Sequence, residues 1–376
     1  MSTRQVMLLA GEASGDTLGA ELAEALAAAD SNIDCFGAGG LKMSQAGVDI
    51  QIDLTEHAVI GIWEALRNYG KFKRFFDQLL AIAEARKPDA VVLIDNPGFN
   101  LRFVKAIRKA TSGTDWNPKI IYYISPQLWA WHSSRVRQIS EDVDLMLSIF
   151  PFEKKWYAKR APGFPVEFVG HPLCDRYADL EFRDPKSIQE PRRLLILPGS
   201  RTKELSRHLP VMVQAAKLIK AEPLIVLPNE SLAAQARLLI PEVADWDIQI
   251  GHLEGAAGRA DVAIASSGTV TLECAWFRVP TVVLYRTSWI TYLLGKLFIK
   301  VKHIAMPNVL AEREVFPELI QSAATPGNLA REANRFLDDS PRRVELREEL
   351  DVIADSLGGK GAALRAARCV IRLLKN

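Results

Sequence analysis

The sequence predicts an α/β protein of two Rossmann-like, doubly wound domains with a cleft between them. Three observations carry that prediction. Short β-rich runs alternate with helical patterns along the whole chain, the signature of parallel sheets with crossover helices. Each half opens with a strand, a glycine-containing turn and a helix, MLLAGEASGDTLGAELAEAL in the first and LLILPGSRTKELSRHLPVMV in the second. Between the halves lies RYADLEFRDPKSIQEPR (176–192), charged, aperiodic and carrying two prolines, which reads as a linker.

Strands are expected at 6–10, 33–37, 90–95, 119–124 and 145–150 in the first half, and at 193–197, 224–227, 261–265 and 281–285 in the second. These are short apolar runs, several rich in β-branched residues, as strands buried on both faces require. Helical periodicity at 17–29, 71–87, 203–221 and 269–278 supplies crossovers. The domains are drawn at 1–183 and 190–341. Residues 342–376 then form terminal helices, broken at SLGGKG (356–361), that pack back on the first domain or exchange between chains.

At 376 residues the chain is long enough for two domains, with 24% charged and 48% hydrophobic residues as in ordinary globular proteins. Its 47 Lys and Arg nearly cancel 45 Asp and Glu, leaving a net charge of +2, which argues against wholesale nucleic-acid binding. Cys35, Cys174, Cys274 and Cys369 are scattered with no C-x-x-C, which points to a reducing compartment and away from structural zinc. The start, MSTRQVMLLAGEASGD, lacks the apolar length of a signal peptide, and no run reaches the ~18 apolar residues of a membrane span. The expectation is a cytosolic protein, or one lying on a membrane without crossing it.

The chemistry gathers at strand ends. In VVLIDNPGFN (91–100) a buried-strand pattern runs into Asp95, at the carboxyl edge where α/β folds bind ligands. Pro97 fixes its own φ and biases Asn96 towards an extended backbone. GEASGDTLG, with glycines at 11, 15 and 19, is not G-x-G-x-x-G, and no G-K-[ST] occurs, so neither a dinucleotide motif nor a P-loop is supported. Glu12 and Ser14 would point from that turn into the cleft. PGSR (198–201) and SSGT (266–269) both follow strands and open helices, where free N–H groups bind anions. Arg201 adds a planar cation. With Ser267, Gly268 and Thr269 the two motifs suggest a pyrophosphate, and Glu273, one turn into the same helix, suits ribose hydroxyls. The six histidines show no H-x-x-x-H, and EDVD (141–144) precedes a strand, so no metal is expected. In 60–76, Trp63, Leu66, Phe72 and Phe75 are interleaved with Arg67, Lys71, Lys73 and Arg74, and 290–304 repeats the pattern. Both fit a surface resting on anionic lipid.

AGEASGD, IDNPGFN, SPQLWAW, FVGHPL, LPGSR, SSGTVTLE and MPNVLAERE together resemble the bacterial lipid-A-disaccharide synthases, in order from residue 10 to about 321. The resemblance implies a GT-B glycosyltransferase fold and an inverting reaction without metal or cofactor. UDP-2,3-diacylglucosamine would donate to 2,3-diacylglucosamine 1-phosphate, giving the β-1′,6-linked disaccharide 1-phosphate and UDP. By motif, Arg201, Glu273 and Asn308 would hold UDP and Asp95 would be catalytic. Glu12, Ser14 and Asn100 fall on the sugar side. Family members often carry an Asp where this chain has Gly98, and a more basic run than HSSRV, which leaves Arg135 as the acceptor-phosphate candidate. The implied location is peripheral, on the cytoplasmic face of the inner membrane, with a homodimer left open. The alternatives are an epimerase of UDP-N-acetylglucosamine on the same fold and a non-catalytic nucleotide-sugar-binding membrane protein.

Overall fold

The computed structural model describes residues 3–55, 69–131, 133–180, 191–289, 292–293, 295 and 301–375. They form two compact units, 1–178 with 357–376, and 179–356.

Unit 1 is built on a seven-stranded parallel sheet. Its strands are β1 (Arg4–Ala10), β2 (Ile33–Gly39), β3 (Asp49–Asp53), β4 (Ala90–Ile94), β5 (Lys119–Tyr123), β6 (Leu145–Ser148) and β7 (Val166–Phe168), in the order β3-β2-β1-β4-β5-β6-β7. The helices are α1 (Ala13–Ala29), α2 (Leu41–Gln45), α3 (Tyr69–Arg86), α4 (Pro97–Thr111), α5 (Arg135–Asp142), α6 (Pro151–Ala158) and α7 (Leu173–Arg176). All five residues of β4 are fully buried, as its unbroken apolar run demands. Met7, Leu9, Leu93, Phe103 and Tyr122 belong to one core.

Unit 2 repeats the plan with β8 (Arg193–Leu197), β9 (Glu222–Leu227), β10 (Asp247–Ile250), β11 (Val262–Ser266), β12 (Thr281–Tyr285) and β13 (Glu318–Ile320), in the order β10-β9-β8-β11-β12-β13. Its helices are α8 (Thr202–Ala216), α9 (Glu230–Leu239), α10 (Leu253–Ala257), α11 (Thr269–Trp276), α12 (Met306–Ala311), α13 (Pro326–Asp338) and α14 (Ser340–Ser356).

Each expected strand is present to within two residues at either end. Four strands were not expected: β3, β7, β10 and β13, the two outermost of each sheet. An edge strand is open on one side and short, so it lacks the buried run that betrays a central strand. The terminal segment also divides. Helix α14 belongs to unit 2, where Asp351 pairs with Arg278 at 2.7 Å. After the glycines at 358, 359 and 361 comes α15 (Ala362–Lys375), which packs on α1 in unit 1. Asp175 accepts from the N–H groups of Gly361, Ala362 and Ala363 at its start. Arg365 donates to the carbonyls of Val169, Gly358, Gly359 and Lys360. Among the described residues no helix is long and apolar enough to cross a membrane.

Candidate active site

In each sheet the strand order reverses once, and such a reversal opens a crevice at the carboxyl ends of the two central strands. In unit 1 the reversal lies between β1 and β4, where Ala10 pairs with Ile94. Gly11 and Glu12 leave one strand there, and Asp95 and Asn96 leave the other. Both Asp95 (φ 49°) and Asn96 (φ 41°) are left-handed. That conformation costs about 1–2 kcal/mol per L-residue, and Asp and Asn tolerate it best. Asn96 is therefore not extended as expected. Helix α4 starts at Pro97, so the chain must reverse within two residues, and surrounding hydrogen bonds override the pre-proline bias.

Those bonds are specific. Asp95 N–H donates to Tyr123 O at 3.0 Å, and Phe99 and Asn100 N–H donate to Asn96 O at 3.2 and 3.0 Å. The Asp95 carbonyl accepts from Tyr122 Oη and from Asn100 Nδ2, each at 2.7 Å. On the opposite turn Gly11 is required by space: any Cβ there would run into the Asn96 side-chain amide. The structure thus fixes the Asp95 backbone and leaves its carboxyl at the sheet edge.

Burial raises the Asp95 pKa, the negative charge of Glu12 raises it further, and the Asn96 N–H partly opposes both. Burial also raises Tyr122 far above its ordinary value; Asp95 adds to this and the positive charge of Arg135 opposes it. Asp95, Glu12 and Arg135 are therefore brought within electrostatic reach of one locality. Glu12 and Ser14 are exposed at the start of α1. Asn100, expected on the sugar side, is buried with its amide on the carbonyls of Ile94 and Asp95. At this turn sequence reasoning missed Tyr122 and Asp16. Tyr122 lay inside an apolar run with no signal of its own. Asp16 of GEASGD is buried and accepts from the N–H groups of Gly40, Lys42 and Met43 at 2.7–3.1 Å, capping α2.

In unit 2 the reversal lies between β8 and β11, which end in PGSR and SSGT. Gly199 (φ 121°) turns the first loop in a conformation closed to side-chained residues. Arg201 is held by Glu204: one carboxylate oxygen takes its guanidinium at 3.2 Å, the other the Ser200 N–H at 3.0 Å. Glu204 was not anticipated. His208 is buried behind the loop, bridging Pro198 O (2.9 Å) and the Arg286 backbone (3.2 Å). At the second loop Gly268 and Thr269 are exposed at the start of α11, and a Cβ on Gly268 would meet nothing. Ser267 Oγ donates to Ile304 O at 3.1 Å, and Glu273 is half-buried one turn into α11. Asn308 is wholly buried. Its amide nitrogen donates to Phe316 O and Glu318, and its oxygen accepts from Val315 and Phe316 N–H, all at 2.8 Å.

The remaining candidates scatter. Trp63 and Leu66 lie outside the described residues, as does most of 290–304. Phe72 is half-buried and Phe75 packs against the core of unit 1, while Lys73 and Arg74 are exposed. Trp289 and Leu293, by contrast, are 62% and 59% exposed. Within EDVD, Asp144 is engaged by Arg108 (2.8 Å) and the Ile120 N–H (2.6 Å). Among the described residues no three His, Cys, Asp or Glu side chains are grouped to hold a metal ion.

A family model described as lipid-A-disaccharide synthetase matches residues 6–360. The chain belongs to this family. It is 37% identical over 387 residues to a lipid-A-disaccharide synthase of Trichlorobacter lovleyi, covering 99% of this chain and 98% of that protein. It is 37% identical over 385 residues to one of Coxiella burnetii, covering 100% of each. A putative UDP-N-acetylglucosamine 2-epimerase from Listeria monocytogenes shares the fold at TM-score 0.66 and 14% identity, over 100% of this chain and 97% of that one. The calicheamicin glycosyltransferase CalG4 does so at TM-score 0.58 and 15% identity, over 100% and 99%. The fold is two-domain α/β of the GT-B type, and family membership makes the chain a glycosyltransferase.

Proposed function

We propose that the chain transfers 2,3-diacylglucosamine from UDP-2,3-diacylglucosamine to 2,3-diacylglucosamine 1-phosphate, releasing UDP. The supporting observation is Asp95, a carboxyl with a raised pKa on a strained turn at the strand reversal of unit 1. Strain of this kind persists only where neighbours over-determine it, and it gathers at functional sites. In the reaction the acceptor's 6-hydroxyl attacks the anomeric carbon and gives its proton to Asp95. The bond to the UDP oxygen breaks on the opposite face, so an α-linked donor yields a β-1′,6 product. A raised pKa brings the base nearer the hydroxyl it must deprotonate.

The starts of α8 and α11, with Arg201, Gly268, Thr269 and Glu273, are the proposed nucleotide side, taking up leaving-group charge without a metal. Ser267 and Asn308 serve it by fixing the segments they bond rather than by direct contact. Arg135 is assigned to the acceptor phosphate, and Glu12 and Ser14 to sugar hydroxyls. The enzyme would work on the cytoplasmic face of the inner membrane, touching anionic lipid through Trp63, Leu66, Phe72 and the exposed Trp289 and Leu293.

Asp95→Asn tests the reading, with disaccharide measured by mass spectrometry from the two diacyl substrates. Turnover should fall by ~10²–10⁴, the usual loss for a general base, with UDP affinity and Tm unchanged. Near-normal turnover would remove Asp95 from the mechanism.

A further inference from the structure

Beside Asp95, the exit of β5 carries a second strained turn that the mechanism has not used. Ile124 has φ 67°, which for a β-branched residue requires a surrounding structure that holds it. The loop that follows, SPQLWAW (125–131), leaves the same sheet edge as Asp95, because β4 and β5 are parallel neighbours. It turns tightly, with the Ala130 and Trp131 N–H groups donating to Gln127 O at 3.0 and 3.3 Å. It leads to Trp131, 49% exposed, and to Arg135 at the start of α5.

What holds this loop is Glu153, on the first turn of α6. Its side chain is 0% exposed. One oxygen accepts from Trp129 Nε1 at 3.2 Å and the other from the Phe150 N–H at 3.2 Å. The Trp129 ring stands edge-on to Phe152, with centroids 5.2 Å apart. Ser125, the first residue of the loop, lies 3.1 Å from Tyr157 Oη on the same helix, and its hydroxyl favours the charged form of the Glu153 carboxyl. Helix capping alone would need neither the contact with Trp129 nor that with Ser125. We propose that Glu153 is the positioning residue of the acceptor-side loop: from α6 it fixes Trp129 and Ser125, and through them the course of the segment presenting Trp131 and Arg135 beside Asp95. The inference rests on the reading of Asp95 as the base of the transfer.

Burial pushes the Glu153 pKa up to about 8, against hydrogen bonds from Phe150, Trp129, Ser125 and Ile149. The groups facing it are Ser125 and Trp129 on the loop and Tyr157 on its own helix, whose own pKa burial raises well above the ordinary tyrosine value. Its helix neighbours Lys154 and Lys155 are exposed. Near neutrality the group is uncharged; as pH passes about 8 it ionises, its N–H donors favouring the charge and burial opposing it, and water drawn in to solvate that charge loosens the loop.

Steady-state kinetics on the full chain test this. Trp129→Phe keeps the ring but removes the N–H, and should raise the acceptor KM ~10-fold, the size of one buried hydrogen bond, without moving the donor KM. Glu153→Gln is permanently neutral and keeps one acceptor oxygen, enough for Trp129 Nε1, though its amide nitrogen cannot accept from the Phe150 N–H. The unaltered enzyme should lose turnover above pH 8, whereas the Gln variant should hold near-normal turnover at pH 7 and show no such fall. Equal changes in both KM values, or an alkaline fall that persists in the Gln variant, would overturn the proposal. Asp95→Asn, assayed alongside, separates the two readings. If it retains turnover, the base assignment fails; if it is inactive while Trp129→Phe leaves the acceptor KM untouched, only the positioning role fails.

Discussion

Asp95 and Glu153 are both carboxyls withdrawn from water, and their surroundings suit them to different work. Asp95 sits at a sheet edge, its carbonyl gripped by Tyr122 and Asn100 while its carboxyl feels Glu12. Glu153 is sealed and neutral near pH 7, so its linkage to folding has a definite sign. The unfolded chain ionises this Glu at its ordinary pKa of ~4.5, whereas the folded chain keeps the proton until about 8. Between those limits the unfolded state binds fewer protons, so folding stability falls as pH rises, by roughly 1.4 kcal/mol per unit, and levels off above. Glu153→Gln removes that slope. Urea unfolding at pH 5 and pH 8 should show the Gln variant gaining stability relative to the parent at the higher pH; an unchanged difference would mean that Glu153 is not neutral in the fold. At this scale Asp95 was legible in the sequence because polar residues interrupted a buried run. The left-handed Asn96 was not, since it is imposed by Gly11, Tyr122 and Asn100 from elsewhere in the chain. Nor was Glu153, whose partner Trp129 lies outside any local pattern, or the internal bonding of Asn308.

At the scale of elements, buried strands announce themselves and edge strands do not. AVVLI and RLLIL were readable as apolar runs, whereas DIQID and DIQI alternate like any half-exposed segment, and β7 and β13 have three residues each. Helix starts were readable for a related reason, since glycine and hydroxyl residues after a buried strand leave few alternatives to a phosphate-binding turn or a cap. The structure adds that PGSR and SSGT follow adjacent strands, β8 and β11. On the proposed reading, two helix starts and Arg201 take up the charge of the leaving diphosphate, each supplying positive potential. Turnover is accordingly predicted to survive EDTA in full. A strict requirement for Mg²⁺ or Mn²⁺, restored by adding the ion back, would show that these elements are insufficient.

For the whole molecule, the proposed substrates would set a demand that the core does not meet, because acylated sugars would be taken from a lipid surface. Trp289, edge-on to Tyr292, and Leu293 stand exposed among the described residues. Burial of a large apolar side chain is worth about 1.5–3 kcal/mol. Replacing both by Ser should therefore weaken binding to vesicles containing anionic lipid by at least ~10-fold, read by co-sedimentation, while UDP binding stays unchanged. Unaltered sedimentation would place the lipid contact elsewhere. The path of the chain has a consequence of another kind. Unit 1 begins with the first strand but is completed by α15, which follows all of unit 2 in sequence. During synthesis the ribosome therefore delivers the whole of the continuous second unit while the first still waits for its closing helix, with the flank of α1 uncovered. The unit that carries Asp95 is thus closed only by a segment made after the whole of the unit that carries the PGSR and SSGT loops.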